Sequence, residues 1–169
     1  MVKRAVNQEL EQAMKSGAEI EGNYRYSLWR SWDDQKPHIG FVMLNPSRAD
    51  AVVNDPTIRR CLGFAQTWGY GGLEVVNLFG YRTASPIELR QANDPIGTKN
   101  DRYLATLPER VDRILLAWGN WGYLLERDRQ VLELLGDRLP LYCLGTTKTQ
   151  QPKHPLYLKS TVIPKVYQV

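Results

Sequence analysis

Phe41-Val42-Met43-Leu44-Asn45-Pro46-Ser47 is the stretch on which the reading of this chain turns. A continuous apolar run is the pattern of a strand buried on both faces. Proline then ends it, because a residue with no N–H cannot continue a central ladder. A second break of this kind stands far downstream, at Lys153-His154-Pro155-Leu156-Tyr157-Leu158. Each leaves a polar side chain, Asn45 or His154, at the mouth of a loop. If the strands are parallel, both loops open on one edge of the sheet. An amide and an imidazole then share one cleft.

Outward from this strand, over 38–44, the pattern fills in on both sides. Residues 23–32 alternate, with Tyr24, Tyr26 and Leu28 on one side and Arg25, Ser27 and Trp29 on the other. That predicts a half-buried strand antiparallel to 38–44, joined to it by the turn at Asp33-Asp34-Gln35-Lys36-Pro37. Residues 5–16 read as an amphipathic helix stopped by Gly17. Downstream, Asp55 is a suitable helix N-cap and Pro56 a suitable first helical residue. Ile58, Cys61, Leu62, Ala65 and Trp68 give that helix an apolar face, and Gly69, Gly71 and Gly72 end it. A strand over 73–79, a long loop over 80–95 and a helix over 99–107 follow. Then come a strand over 113–118, a helix over 121–135 with Leu124, Leu125, Val131, Leu132 and Leu135 inward, and a strand over 140–144. Such alternation argues for parallel strands joined by helical crossovers. The expected fold is α/β, a single domain over 1–169. It is a three-layer α/β/α sandwich with a mostly parallel four-stranded central sheet and an added N-terminal antiparallel strand.

Composition narrows the function classes. The chain has 169 residues, 43% hydrophobic and 24% charged, as in a globular protein with a sizeable core. No apolar stretch approaches membrane-spanning length and no signal-peptide core leads the chain, so a cytoplasmic protein with no membrane partner is expected. Two cysteines and two histidines suit neither a disulfide framework nor a structural zinc site, and no cofactor is expected. A net charge of +4 permits nucleic-acid binding without requiring it. Five Trp and nine Tyr supply flat surfaces for core packing or for stacking on bases.

In open α/β sheets, ligands lie beyond the carboxyl ends of the strands. Those ends carry Asn45, Pro46 and Ser47, then Asn77 near Phe79, then Trp118, with His154 beyond the last. Asn45, Asn77 and His154 are the polar groups that converge there. Each has a plainer reading: Asn45-Pro46 as a strand-ending turn, His154 as a surface loop residue, Asn77 as a buried amide bonded to loop backbone. Asp55 reads as a helix cap or as a general base. Arg59, Arg82, Lys148 and Lys153 read as contacts to a phosphate backbone or as solvated loop charges. Cys61 and Cys143 read as packed, inert thiols.

These residues resemble motifs of the uracil-DNA glycosylase superfamily. Met43-Leu44-Asn45-Pro46-Ser47 is similar to its first motif, which is Gly-Ile-Asn-Pro-Gly in the mismatch-specific branch. His154-Pro155-Leu156 is similar to its second motif, His-Pro-Ser-Pro-Leu. Val75-Val76-Asn77 resembles the strand whose asparagine reads the uracil edge, and Leu115-Leu116-Ala117-Trp118-Gly119 resembles a Leu-Leu-Trp-Gly strand. The order holds over about residues 38–160. At closer range the chain resembles an uncharacterised bacterial and phage family marked by Leu-Asn-Pro-Ser followed by Asn54-Asp55-Pro56-Thr57-Ile58-Arg59-Arg60-Cys61. The glycosylase resemblance implies that a uracil-like, mismatched or modified base is flipped into the cleft. Asn77 would read it, Asn45 would hold a water, and His154 would stabilise the leaving base. Leu156 or Tyr157 would wedge into the vacated stack. Asn45 stands where another branch has a carboxylate, and an amide accepts no proton at neutral pH. Leu156-Tyr157 replaces Ser-Pro in the second motif. Two other readings use the same pocket: a hydrolase or transferase acting on free nucleotides, and a catalytically silent nucleic-acid or nucleotide-binding module.

Overall fold

The computed structural model describes residues 14–168. Its strands are β1 (Lys15–Glu21), β2 (Tyr24–Ser31), β3 (His38–Met43), β4 (Gly72–Asn77), β5 (Arg113–Leu116), β6 (Leu141–Cys143) and β7 (Lys165–Val166). The α-helices in this range are α1 (Pro56–Thr67), α2 (Pro86–Gln91), α3 (Asn100–Thr106) and α4 (Arg127–Leu135). The strands form one mixed seven-stranded sheet in the order β1-β2-β4-β3-β5-β6-β7. The inner run β4-β3-β5-β6 is parallel, and β1, β2 and β7 pair antiparallel at its flanks. Among the described residues no helix is long and apolar enough to cross a membrane.

Alternate side chains of β3 enter separate apolar clusters, which explains its unbroken hydrophobic run. Phe41 and Met43 pack with Ile58, Cys61 and Phe64 of α1. Val42 packs with Leu104 of α3 and Val131 of α4. Helix α1 starts where Asp55 Oδ1 accepts from the Ile58 N–H at 2.9 Å, as its Asp-Pro start requires. Gly71, read as a helix stop, has a different task. Its carbonyl accepts from Trp32 and Asp33, and a Cβ there would collide with the Asp33 carbonyl.

The sheet is wider than the sequence pattern indicates. The helix expected over 5–16 lies almost wholly outside the described residues, while Lys15 and Ser16 open strand β1. That strand is charged and largely exposed, so its pairing rests on backbone bonds to β2 rather than on an apolar face. Strand β2 runs opposite to β3 but does not pair with it, because β4 lies between them. Placed inside the sheet, β2 is not half-buried: Arg25, Ser27 and Arg30 are all inaccessible.

The register of β1 on β2 skips Tyr26, so that Glu19 pairs with Ser27 and Ile20 with Arg25. Such a bulge resets the in–out alternation of a strand. Tyr26 stacks on Tyr103 of α3, with ring centroids 5.7 Å apart. Its neighbour Ser27 donates to Glu74, which also binds Arg110. Arg25 and Leu28 therefore both turn to the α1 side.

Two more segments depart from expectation. The loop expected over 80–95 contains α2, capped by Ser85, whose Oγ accepts from the Glu88 N–H; Ser85-Pro86-Ile87-Glu88 carries the spacing of a capping box. The helix expected over 121–135 is broken. A 3-10 stretch covers Asn120–Glu126, with Leu125 and Glu126 left-handed at φ 54° and 55°. Leu125 is consequently exposed instead of inward. The break delivers Arg127 to the interior, where Nε donates to the Leu78 carbonyl at 2.8 Å and the guanidinium pairs with Asp101.

Candidate functional site

The chain leaves β3 toward β4 and leaves β5 toward β6, on opposite sides. Loops that diverge in this way open a crevice at the carboxyl edge. A cleft of about 550 Å³ lies there. Leu44, Asn45 and Ser47 line it from the end of β3, Asn77 from β4, and Trp118 and Gly119 from β5. His154, Leu156 and Tyr157 come from the loop beyond β6, and Arg25 and Asp55 also line it. Asn45, Asn77 and His154 thus share one cleft, as their places in the sequence imply.

Asn77 is 1% exposed, and neither Nδ2 nor Oδ1 has a hydrogen-bond partner among the described residues. Its backbone carbonyl is held instead, by Asn100 Nδ2 at 2.9 Å. A buried amide with both polar atoms free is rare in folded proteins. It presents one donor and one acceptor side by side.

Asn45 is tied differently. Its Nδ2 donates to the carbonyls of Thr83 at 2.8 Å, Pro46 at 3.1 Å and Tyr81 at 3.4 Å. Three carbonyl partners fix which end of the amide is nitrogen. The amino group pins the 81–83 loop to the end of β3, and Oδ1 is left as an acceptor for a ligand.

His154 caps the short 3-10 turn Pro155–Tyr157, with Nδ1 accepting from the Leu156 N–H at 3.2 Å. A neutral imidazole has one donor and one acceptor nitrogen, so the proton resides on Nε2. Burial holds its pKa below the ordinary 6.5, and the nearby Asp55 charge opposes this only in part. His154 is therefore a neutral donor at physiological pH. Arg60 of α1 anchors the same turn by donating to the carbonyls of Pro155 and Leu158.

Asp55 carries the helix cap. Both its oxygens accept backbone N–H groups, Oδ1 from Ile58 and Oδ2 from Ala49 at 3.2 Å. Asp50 accepts from the Val52 and Val53 N–H groups in a local turn and does not line the cleft. Trp118 is buried, and its ring is fixed by a 2.7 Å bond from Nε1 to Gln151. Tyr157, 91% exposed, stands at the rim. Cys61 is sealed in the core, where burial and the Asp55 charge push its thiol up to about 12.

Other candidates lie elsewhere. Phe79 is fully buried in the cluster that holds Val42, not in the cleft, because the chain past β4 passes under α3 and α4. Pro46 is buried beside the cleft without lining it, its carbonyl accepting from Thr83. Arg59 folds back onto the Asn54 carbonyl, and Arg82 donates to the Ser47 and Arg48 carbonyls. Lys148 and Lys153 are exposed, with the Lys153 stem lying along Gly145. None of these four cations lines the cleft. The sequence reading missed Arg25, because simple alternation gives no sign of the bulge at Tyr26. It also missed Trp121, which lines the cleft and stacks on Tyr123.

A family model described as a protein of unknown function (DUF1643) matches residues 25–156, and the chain belongs to that family. The match runs from Arg25 to Leu156 and so takes in every cleft-lining residue except Tyr157. Comparison with curated proteins and with solved structures gives no match.

Proposed function

We propose that this DUF1643 protein handles nucleobases, as a DNA base N-glycosylase-like protein with the three-layer arrangement of uracil-DNA glycosylases. The observation that carries the reading is Asn77, a buried amide lining a cleft with both polar atoms unpartnered among the described residues. A uracil-like base supplies what it lacks: a carbonyl for Nδ2 and an imide N–H for Oδ1. The base reaches the cleft by leaving the helical stack, and the exposed Tyr157 or its neighbour Leu156 fills the gap.

The chemistry follows from the remaining groups. Asn45 Oδ1 accepts a hydrogen bond from a water and aims its oxygen at the sugar C1′. The water oxygen bonds to C1′ as the C1′–N bond breaks, and the bonding pair stays on the base. His154 Nε2–H donates to the base oxygen on which this charge gathers. The water's proton passes to bulk solvent or to Asp55, the one carboxylate that lines the cleft among the described residues. Asn45 cannot take that proton, so a contribution of about 10²–10⁴-fold from general-base catalysis is forgone or rests on Asp55. Slow turnover is expected.

The test uses duplexes carrying uracil, mismatched thymine or hypermodified pyrimidines, treated with alkali to cut at abasic sites. Strand cleavage that is lost in Asn77→Ala and His154→Ala supports the reading. No cleavage at high protein concentration refutes it for those substrates.

A second reading, hydrolysis or group transfer on free nucleotides, draws support from the basic residues. Arg59 and Arg82 are engaged with backbone carbonyls, and none of the four expected phosphate contacts lines the cleft. DNA binding that weakens steeply with salt favours the first reading, and its absence favours the second.

A further inference from the structure

Arg25 has no part in the chemistry above, yet it is a buried charge. It sits on an interior strand and is 2% exposed. The bulge at Tyr26 turns it to the α1 side, where it lines the cleft. Nη1 donates to the Ala49 carbonyl at 3.1 Å. Nε is fully buried and has no partner among the described residues. An unmade hydrogen bond on a buried charge is costly to the fold and calls for a ligand group to complete it.

No acidic side chain bonds to it directly among the described residues. Burial lowers the Arg25 pKa to about 10, opposed by the Asp55 charge, so the group is a cation at neutral pH. Among the described residues Asp55 is the other formally charged side chain lining the cleft, and His154 is neutral. No ion pair joins Asp55 to Arg25 among the described residues. The Asp55 oxygens are both committed to backbone N–H groups at the start of α1, where the helix dipole also draws on their charge. The cleft therefore holds a cation whose Nε lacks a partner among the described residues, together with the Asn77 amide.

We propose that the cleft is built for a heterocyclic anion, a base whose imide edge meets Asn77 and whose negatively charged ring meets the Arg25 guanidinium. The proposal rests on the base-handling reading and specifies its ligand class. Two sources supply this chemistry: a free base acidic enough to be ionised at neutral pH, and the base anion formed when a glycosidic bond breaks with its electron pair on the base. In the second case Arg25 joins His154 in stabilising the leaving group.

The experiment is calorimetric titration of the full chain at pH 7 with two pyrimidines: uracil, which is neutral there, and barbiturate, which has a similar imide edge but is ionised. Barbiturate is expected to bind at least about tenfold more tightly, as for a charge-assisted hydrogen bond. In Arg25→Gln the ratio of barbiturate to uracil affinity is expected to fall by about 10- to 100-fold. Arg25→Lys, which keeps the charge without the fork, is expected to fall between the two. If Arg25→Gln does not fold, the wild-type ratio alone decides. Uracil binding with no preference for barbiturate overturns this proposal and leaves the base-handling reading standing. Binding of neither base overturns both. Barbiturate that competitively blocks abasic-site formation assigns the anion to the leaving base. Tight barbiturate binding with no duplex cleaved assigns it to a free acidic base.

Discussion

Replacing Asn77 with leucine is expected to strengthen the fold while destroying the site. The residue is 1% exposed, and its Nδ2 and Oδ1 both lack partners among the described residues. Leaving a polar group buried and unpaired costs about 1–3 kcal/mol. Leucine has the same branching and the same number of side-chain heavy atoms, though its methyl groups are bulkier, and Met43, Ile58 and Val75 line the same cleft. The backbone anchor survives, because Asn100 binds the residue 77 carbonyl and not its side chain. Imperfect fit of the branched side chain takes back up to about 1 kcal/mol, so a net gain of about 1–2 kcal/mol is expected. At about 2–4 °C per kcal/mol for a chain of this size, Tm rises by roughly 2–8 °C. Urea unfolding should show a higher midpoint at unchanged slope, the mark of altered stability without altered compactness. Uracil should raise the Tm of the wild type and leave that of the variant where it is. A lower urea midpoint for Asn77→Leu would refute the reasoning, because the amide would then be a structural bond and not an unfilled one.

The other expectations concern separate parts of the site. The folded-state pKa of His154 lies below 6.5, so the unfolded chain binds the extra proton first as pH falls. Its contribution to stability is kept above about pH 6.5 and lost through the window below, and the fall of the urea midpoint from about pH 7.5 to pH 5 should be shallower in His154→Gln. Asp55→Ala removes the bonds to Ile58 and Ala49 and should cost about 1–2 kcal/mol in denaturant unfolding. An unchanged midpoint would contradict the cap. Cys61, with its thiol pushed up to about 12, should resist alkylation at pH 8 until urea unfolds the chain; prompt native labelling at this residue would count against the burial argument. Tyr157 is 91% exposed, so Tyr157→Ala should leave Tm within about 1 °C while it weakens retention of duplex DNA carrying a mismatched base.

Much of the cleft is legible in the sequence because proline and apolar runs act locally. The run ending at Leu44 and the breaks at Pro46 and Pro155 place Asn45 and His154 without any knowledge of distant contacts, and an amide closing the run Val75-Val76 marks Asn77. Asp55 before Pro56 reads directly as a cap and is one. The misses have a common cause in long-range pairing. Strand β4 slips between β2 and β3 and buries a strand whose alternation looks half-exposed. The bulge at Tyr26 turns Arg25 into the site, and only the pairing of β1 reveals it. The left-handed pair Leu125 and Glu126 breaks an apparently continuous helix so that Arg127 can reach the Leu78 carbonyl. The basic loop residues lie outside the cleft lining, and one physical reason is that a guanidinium near loop backbone finds carbonyls, as Arg82 does at Ser47 and Arg48.

The proposed base-reading role of the cleft is tested most directly by the side-chain amide of Asn77. In ¹⁵N-labelled protein titrated with uracil, its Nδ2 protons should move downfield and saturate with the same midpoint as shifts at His154 and Arg25. Binding that shifts other residues and leaves the Asn77 amide unmoved, or no binding at all, would contradict the assignment.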